Sequence, residues 1–149
     1  MNFRLLIADD DRDDFHTLID AFGEIGLNPW FDHVTDGRAL LEHLQCCMAG
    51  ECERPDVILL DLNMPRVDGI QALKEIRSLP GTLIPPVLIY TTTNDPYQKQ
   101  QCLAHGASGF VTKGSSFSAI VSFARDLAEF IAEARMNPEI SFHRRKNEV

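Results

Sequence analysis

The chain has 149 residues, 44% of them hydrophobic and 24% charged, with a formal charge of −8 and a pI near 5.0. That length fits one ordinary domain able to bury a real core, and the composition is that of a soluble globular chain. The acidity argues against nucleic acid as a direct partner, and no apolar run approaches the roughly 20 residues a membrane helix needs.

Residues 3–8 read as a short apolar strand that ends in Asp9, Asp10 and Asp11. Adjacent carboxylates at a strand exit repel one another unless a cation or a cationic side chain is near. Asp13 and Asp14 suit the first turn of a helix, where negative charge meets the positive dipole end. Phe15, Leu18, Ile19 and Phe22 then fall on one helical face, with Gly23 and Gly26 as candidates for its end. Residues 30–34 follow as an edge strand behind Pro29. Asp36-Gly37 turns into a second helix carrying Leu40, Leu41, Leu44 and Met48, and residues 49–55 form a polar connection.

Val57, Ile58, Leu59 and Leu60 show no polar alternation, the pattern of a strand buried on both faces of a parallel sheet. They place Asp61 at the carboxyl end of a central strand, where open α/β sheets hold their ligands. Asn63, a Met64-Pro65 turn and Asp68-Gly69 take the chain away. Ile70, Leu73 and Ile76 define a third helix that closes near Pro80-Gly81. Residues 86–90 form another apolar strand, ending in Thr91-Thr92-Thr93. Asp95 is a natural N-cap with Pro96 at the first helical position. The helix it opens is poor in apolar residues, which makes it a candidate for movement. Residues 108–112 give a fifth strand ending at Lys113, and a long helix spans 115–136. Residues 1–136 are thus the expected domain, and 137–149 an expected frayed tail with the basic cluster His143, Arg144, Arg145 and Lys146. The cysteines, 46, 47, 52 and 102, lack zinc-site spacing and suggest no disulfide framework, so reduced thiols in a cytoplasmic protein are expected.

Five strands alternating with five helices predict an α/β domain with a parallel sheet covered on both faces. All carboxyl ends then share one rim, which gathers Asp9, Asp10, Asp61, Asn63, Thr91 and Lys113. Mg²⁺ seeks hard oxygen ligands, including a couple of carboxylates. A phosphoryl group needs a nucleophile in line and positive charge on its equatorial oxygens. The rim offers both.

Four segments in this order resemble the receiver domain of two-component response regulators. They are L-L-I-A-D-D-D from Leu5, V-I-L-L-D-L-N-M-P-R-V-D-G from Val57, P-V-L-I-Y-T-T from Pro86 and G-A-S-G-F-V-T-K from Gly106. The long connection before the central strand and the threonine run are similar to small stand-alone receivers of bacterial phytochrome kinases. The resemblance implies a flavodoxin-like fold with strand order 2-1-3-4-5, and phosphoryl transfer to Asp61 from a sensor histidine kinase or phosphotransfer protein. It implies Mg²⁺ held by Asp10 and Asp61, by the Asn63 carbonyl and, through water, by Asp9. Lys113 would contact the phosphoryl oxygens, Thr91 would swing toward them, and Phe110 would turn inward with it. It further implies self-phosphorylation from small donors and autodephosphorylation, without an enzyme's turnover of substrate.

One departure is Lys113-Gly114, where receivers usually carry proline, often across a cis bond. Without proline a cis bond costs about 2.5–4 kcal/mol, so a trans bond is expected. Two other readings compete: a phosphohydrolase of the haloacid dehalogenase type with Asp9 as nucleophile, and a degenerate receiver acting as a binding module. The five histidines are scattered and none is expected on the rim. With no room for an output domain, signalling should proceed through a protein contact. Phe123 and Phe130 lie off the sheet-covering face of the last helix, which suggests the interface of a homodimer.

Overall fold

The computed structural model of the chain describes residues 2–79 and 84–142. The Pro80-Gly81 turn and the basic cluster at 143–146 lie outside them. The elements run β1 (Arg4–Ala8), α1 (Arg12–Glu24), β2 (Trp30–Val34), α2 (Gly37–Met48), β3 (Val57–Leu60), α3 (Gly69–Ser78), β4 (Val87–Thr91), α4 (Pro96–Ala104), β5 (Gly109–Thr112) and α5 (Phe117–Met136). All strand pairs are parallel, in the order β2-β1-β3-β4-β5. This is the α/β, flavodoxin-like arrangement expected, with five strands and five helices.

Each strand splits its side chains between two cores, because successive residues point to opposite faces. Leu5, Ile7, Val57, Leu59 and Leu88 pack with α1 and α5. Leu6, Ala8, Ile58, Leu60, Val87 and Ile89 pack with α2 and α3 and with Cys102 of α4. Cys102 is the one buried residue α4 supplies, so that helix is held by little apolar area.

Every helix starts on a capping side chain: Asp11, Asp36, Asp68, Asp95 and Ser116 accept from backbone N–H groups of their first turns. Each cap satisfies donors the helix itself leaves orphaned. Since each helix follows a parallel strand, all five N-termini open on the carboxyl rim of the sheet. The first helix passes through Gly23 and ends at Glu24, with Gly26 (φ 76°) in the left-handed region just beyond.

Three expectations are corrected. Phe123 and Phe130 are not an exposed interface; they are 2% and 4% exposed. The cause is the segment after α5, which was expected to fray. Phe142 stands edge-on to both rings, with centroids 6.0 Å from Phe123 and 5.4 Å from Phe130. On its other side Phe123 stacks on Tyr90 at 4.6 Å. The Phe142 N–H donates to the Ser108 carbonyl at 2.8 Å, which fixes the segment to the outer edge of β5. The third correction concerns the thiols: Cys46 and Cys52 form a disulfide that closes the end of α2 onto the connection to β3, while Cys47 and Cys102 are free and buried. No helix among the described residues is long and apolar enough to cross a membrane.

Candidate functional site

Backbone hydrogen bonds that continue the ladders past the strand ends assemble the rim. The Asp61 N–H donates to the Ala8 carbonyl at 2.9 Å, setting Asp61 beside the β1 exit. The Lys113 N–H donates to the Thr91 carbonyl at 2.7 Å, joining the ends of β4 and β5. Asp9 is held from β2, its N–H donating to the Val34 carbonyl at 3.0 Å. Gly69 opens α3 hard against this floor. A Cβ there would lie 2.5 Å from both the Asp61 carbonyl oxygen and the Leu62 Cα, so only glycine permits the approach.

The centre of the rim is the Lys113 ammonium. Its Nζ lies 2.6 Å from Asp9 Oδ2, 2.7 Å from Asp14 Oδ2 and 3.3 Å from Asp61 Oδ2. The Lys113, Asp9 and Asp61 side chains are 7%, 4% and 8% exposed, so water screens little of this interaction. Burial opposes the ammonium, but hydrogen bonds to Asp14 and Asp9 outweigh it and hold Lys113 above the ordinary lysine value. The acids outnumber their cation. Burial pushes Asp9 up to about 6, with the charge of Asp61 adding to it, against the downward pull of Lys113 and the Asp11 N–H.

Asp9, Asp10 and Asp61 each present a carboxylate oxygen within 4.8 Å of the others. Asp9 and Asp61 are buried and Asp10 is exposed, so the cluster opens to solvent on one side. Three hard oxygen donors converging beside a single ammonium match the chemistry of Mg²⁺. Asn63 follows Asp61 in the turn, and its N–H donates to Asp61 Oδ1 at 3.2 Å. Thr91 is fully buried at the end of β4. Phe110 is half-buried against the core on the α2–α4 side. The Lys113–Gly114 bond is trans, since the described residues contain no cis peptide.

The structure therefore brings Asp9, Asp10, Asp61, Asn63, Thr91 and Lys113 to one rim, with Phe110 on β5 two register positions below Thr91. Two participants escaped the sequence reading. Asp14 fits the helix-start role expected of it, yet from the first turn of α1 it also reaches Lys113. His33 sits on β2 with its Nε2 2.7 Å from the Asp9 carbonyl oxygen and its ring stacked on Phe15 at 4.1 Å. A histidine thus borders the rim after all. Its signal was positional: it lies one residue before the end of an edge strand that neighbours β1.

Residues 5–125 match the family of the response regulator receiver domain, and the chain belongs to that family. It is 31% identical over 115 residues to the alkaline phosphatase synthesis transcriptional regulatory protein PhoP of Bacillus subtilis, covering 76% of this chain but 43% of that one. Identity is 24% over 128 residues to the probable methanogenesis regulatory protein FilR2 of Methanothrix harundinacea, covering 86% and 83% of the two chains. Among solved structures, a receiver domain from Rhodospirillum rubrum is 28% identical with a TM-score of 0.75, covering 87% of this chain and 94% of that one. The phosphorylated cyanobacterial phytochrome response regulator RcpA shares the fold, with a TM-score of 0.79 at 24% identity over 90% and 96% of the chains. A phytochrome response regulator is thus among the structural neighbours.

Proposed function

We propose that this chain accepts a phosphoryl group on Asp61 from the phosphohistidine of a sensor kinase or phosphotransfer protein and signals through altered protein contacts. The observation that carries this is Lys113 held between Asp9, Asp14 and Asp61, beside three carboxylates within 4.8 Å of one another. Asp61 Oδ1 is anchored by the Asn63 N–H, while Oδ2 faces the ammonium. In transfer, an Asp61 carboxylate oxygen forms the new bond to phosphorus as the bond to the donor's imidazole nitrogen breaks, and that nitrogen leaves with the electron pair. Lys113 meets the charge that builds on the phosphoryl oxygens.

Asp9, Asp10 and Asp61, with the Asn63 carbonyl, would hold Mg²⁺, which supplies further charge neutralisation for the phosphoryl oxygens when bound. Thr91 and Phe110 would then respond to the new group, Thr91 from its buried position at the strand end. The phosphohydrolase reading is not favoured. The chain matches the receiver family over residues 5–125, and Asp9, held by the Asp11 N–H at 2.9 Å and by Lys113, fits a buried brace beside Asp61. A degenerate receiver is not favoured either, with the Asp9, Asp10, Asp61, Thr91 and Lys113 set complete.

Intact-mass measurement after acetyl phosphate treatment with Mg²⁺ should show one added phosphoryl group. The group should be absent in Asp61→Asn and when Mg²⁺ is withheld. Undiminished labelling of Asp61→Asn would overturn the assignment.

A further inference from the structure

The face once expected to meet a second subunit already has an occupant, the chain's own segment 137–142. The contacts that hold this segment lead back to the site. The Lys113 ammonium lies 5.7 Å from the Tyr90 ring centroid. Tyr90 stacks on Phe123 at 4.6 Å and 9°, Phe123 meets Phe142 at 6.0 Å, and Phe142 meets Phe130 at 5.4 Å. An unbroken line of rings thus joins the lysine of the acidic rim to Phe142.

The seat for Phe142 is shaped for it and leaves the residue 8% exposed. Gly109 lets the backbone pass, since a Cβ there would come 2.9 Å from Phe142 Cβ. Beyond the single backbone hydrogen bond to Ser108, the segment runs along an open cavity of about 570 Å³ between β5 and α4, where Phe110, Lys99 and Leu103 face Ser141 and Phe142. A segment tied to the sheet by one backbone hydrogen bond beside a cavity opens more readily than the strands and helices it packs on.

We propose that the segment from Asn137 to Phe142 is a releasable cover over Phe123 and Phe130, and that phosphorylation of Asp61 releases it. A phosphoryl group on Asp61 draws the Lys113 ammonium toward its oxygens. That weakens the attraction holding Tyr90 beneath it, and with it the stack on which Phe142 rests. Withdrawal of Phe110 from the cavity would remove a wall on the other side. What release uncovers is an aromatic face on α5 and the carbonyl edge of β5, the kind of surface that a second protein chain takes up. The proposal rests on Asp61 being the phosphoacceptor. Linkage then requires the converse as well: loosening the cover must make the loaded state easier to reach, by the same factor.

Amide exchange of Phe142 in the full chain tests this, measured with Mg²⁺ alone and with Mg²⁺ plus beryllofluoride as the phosphoryl mimic. A bound fluorine resonance reports loading of Asp61 independently. Loading should speed Phe142 exchange at least threefold, and Gly109→Ala, which pushes the segment away without touching the rim, should give fast exchange in the unloaded chain and tighter beryllofluoride binding. Tyr90→Leu should load but leave Phe142 exchange unresponsive, whereas Tyr90→Phe, which keeps the ring, should retain the response. Phe142 exchange that is unchanged or slower in a demonstrably loaded chain overturns the proposal and spares the phosphoacceptor reading. Absence of any bound fluorine resonance overturns both.

Discussion

The same sheet carries a charged cluster at each end, and the two are built on opposite principles. At the carboxyl end one lysine faces Asp9, Asp14 and Asp61, with Asp10 alongside, and most of these groups are buried. At the amino end, Arg4 pairs with Asp32 and Glu53, each at 2.9 Å, and Arg135 forks onto Asp56 at 3.0 and 3.1 Å. There the arginines nearly balance the acids, and the cluster reaches water through Glu53 and Arg135, 81% and 42% exposed. Balanced charges with an outlet to water hold β1, β2 and the end of α5 in register and need nothing more. Unbalanced, buried charges leave a standing demand for positive charge.

The comparison breaks most visibly if one cation is removed from each end. Lys113→Met leaves Asp9 and Asp61 buried without their partner and should cost about 3–5 kcal/mol at neutral pH without Mg²⁺. Asp9 already has its carboxyl raised to about 6 in the fold, against about 3.9 unfolded. A raised carboxyl contributes stability below the unfolded value and loses it as pH climbs through the folded one. Without the downward pull of Lys113, Asp9 of the variant takes up its proton at a higher pH than in the wild type, so the cost of Lys113→Met should shrink as pH falls toward about 6, which urea denaturation across pH would show. An equal cost at pH 4.5 and 7.5 would mean that the acids do not drive it.

Metal addition gives the next largest effect. Mg²⁺ at one hundred times its dissociation constant should raise wild-type stability by about 2.7 kcal/mol. Asp10→Asn should lose most of that gain while keeping its Mg²⁺-free stability, because Asp10 is exposed and outside the Lys113 network. The smallest effect belongs to the amino end. Arg135→Met should cost under about 1 kcal/mol, and the cost should fall further in high salt. A salt-insensitive loss of several kcal/mol there would erase the contrast between the two ends.

The positions of the site residues were legible because chemistry and topology coincide at strand ends. Four apolar residues halting at Asp61 are enough to place it, and the threonine run and Lys113 follow the same logic. Asp14 was only half legible. Its helix-start role is local, but its bond to Lys113 joins residues 99 apart in sequence, and no spacing rule spans that distance. Phe123 and Phe130 misled because helical periodicity describes one helix against one surface. The rings are buried by a third party, Phe142, and Ile140, which packs on the same core, was the faint sign that residues 137–142 also pack. The Cys46–Cys52 bond depends on where the chain turns after α2, which residue spacing does not give.

His33 adds a property to the rim that the acids alone would lack. A backbone carbonyl can only accept, so the Nε2 that meets the Asp9 oxygen at 2.7 Å must carry its hydrogen. This sets the tautomer of the neutral ring. The bond behaves as one more rung between β1 and β2, beyond the last rung the backbone can make. The hinge point of the acid cluster is thus braced from β2 by a side chain as well as by the backbone.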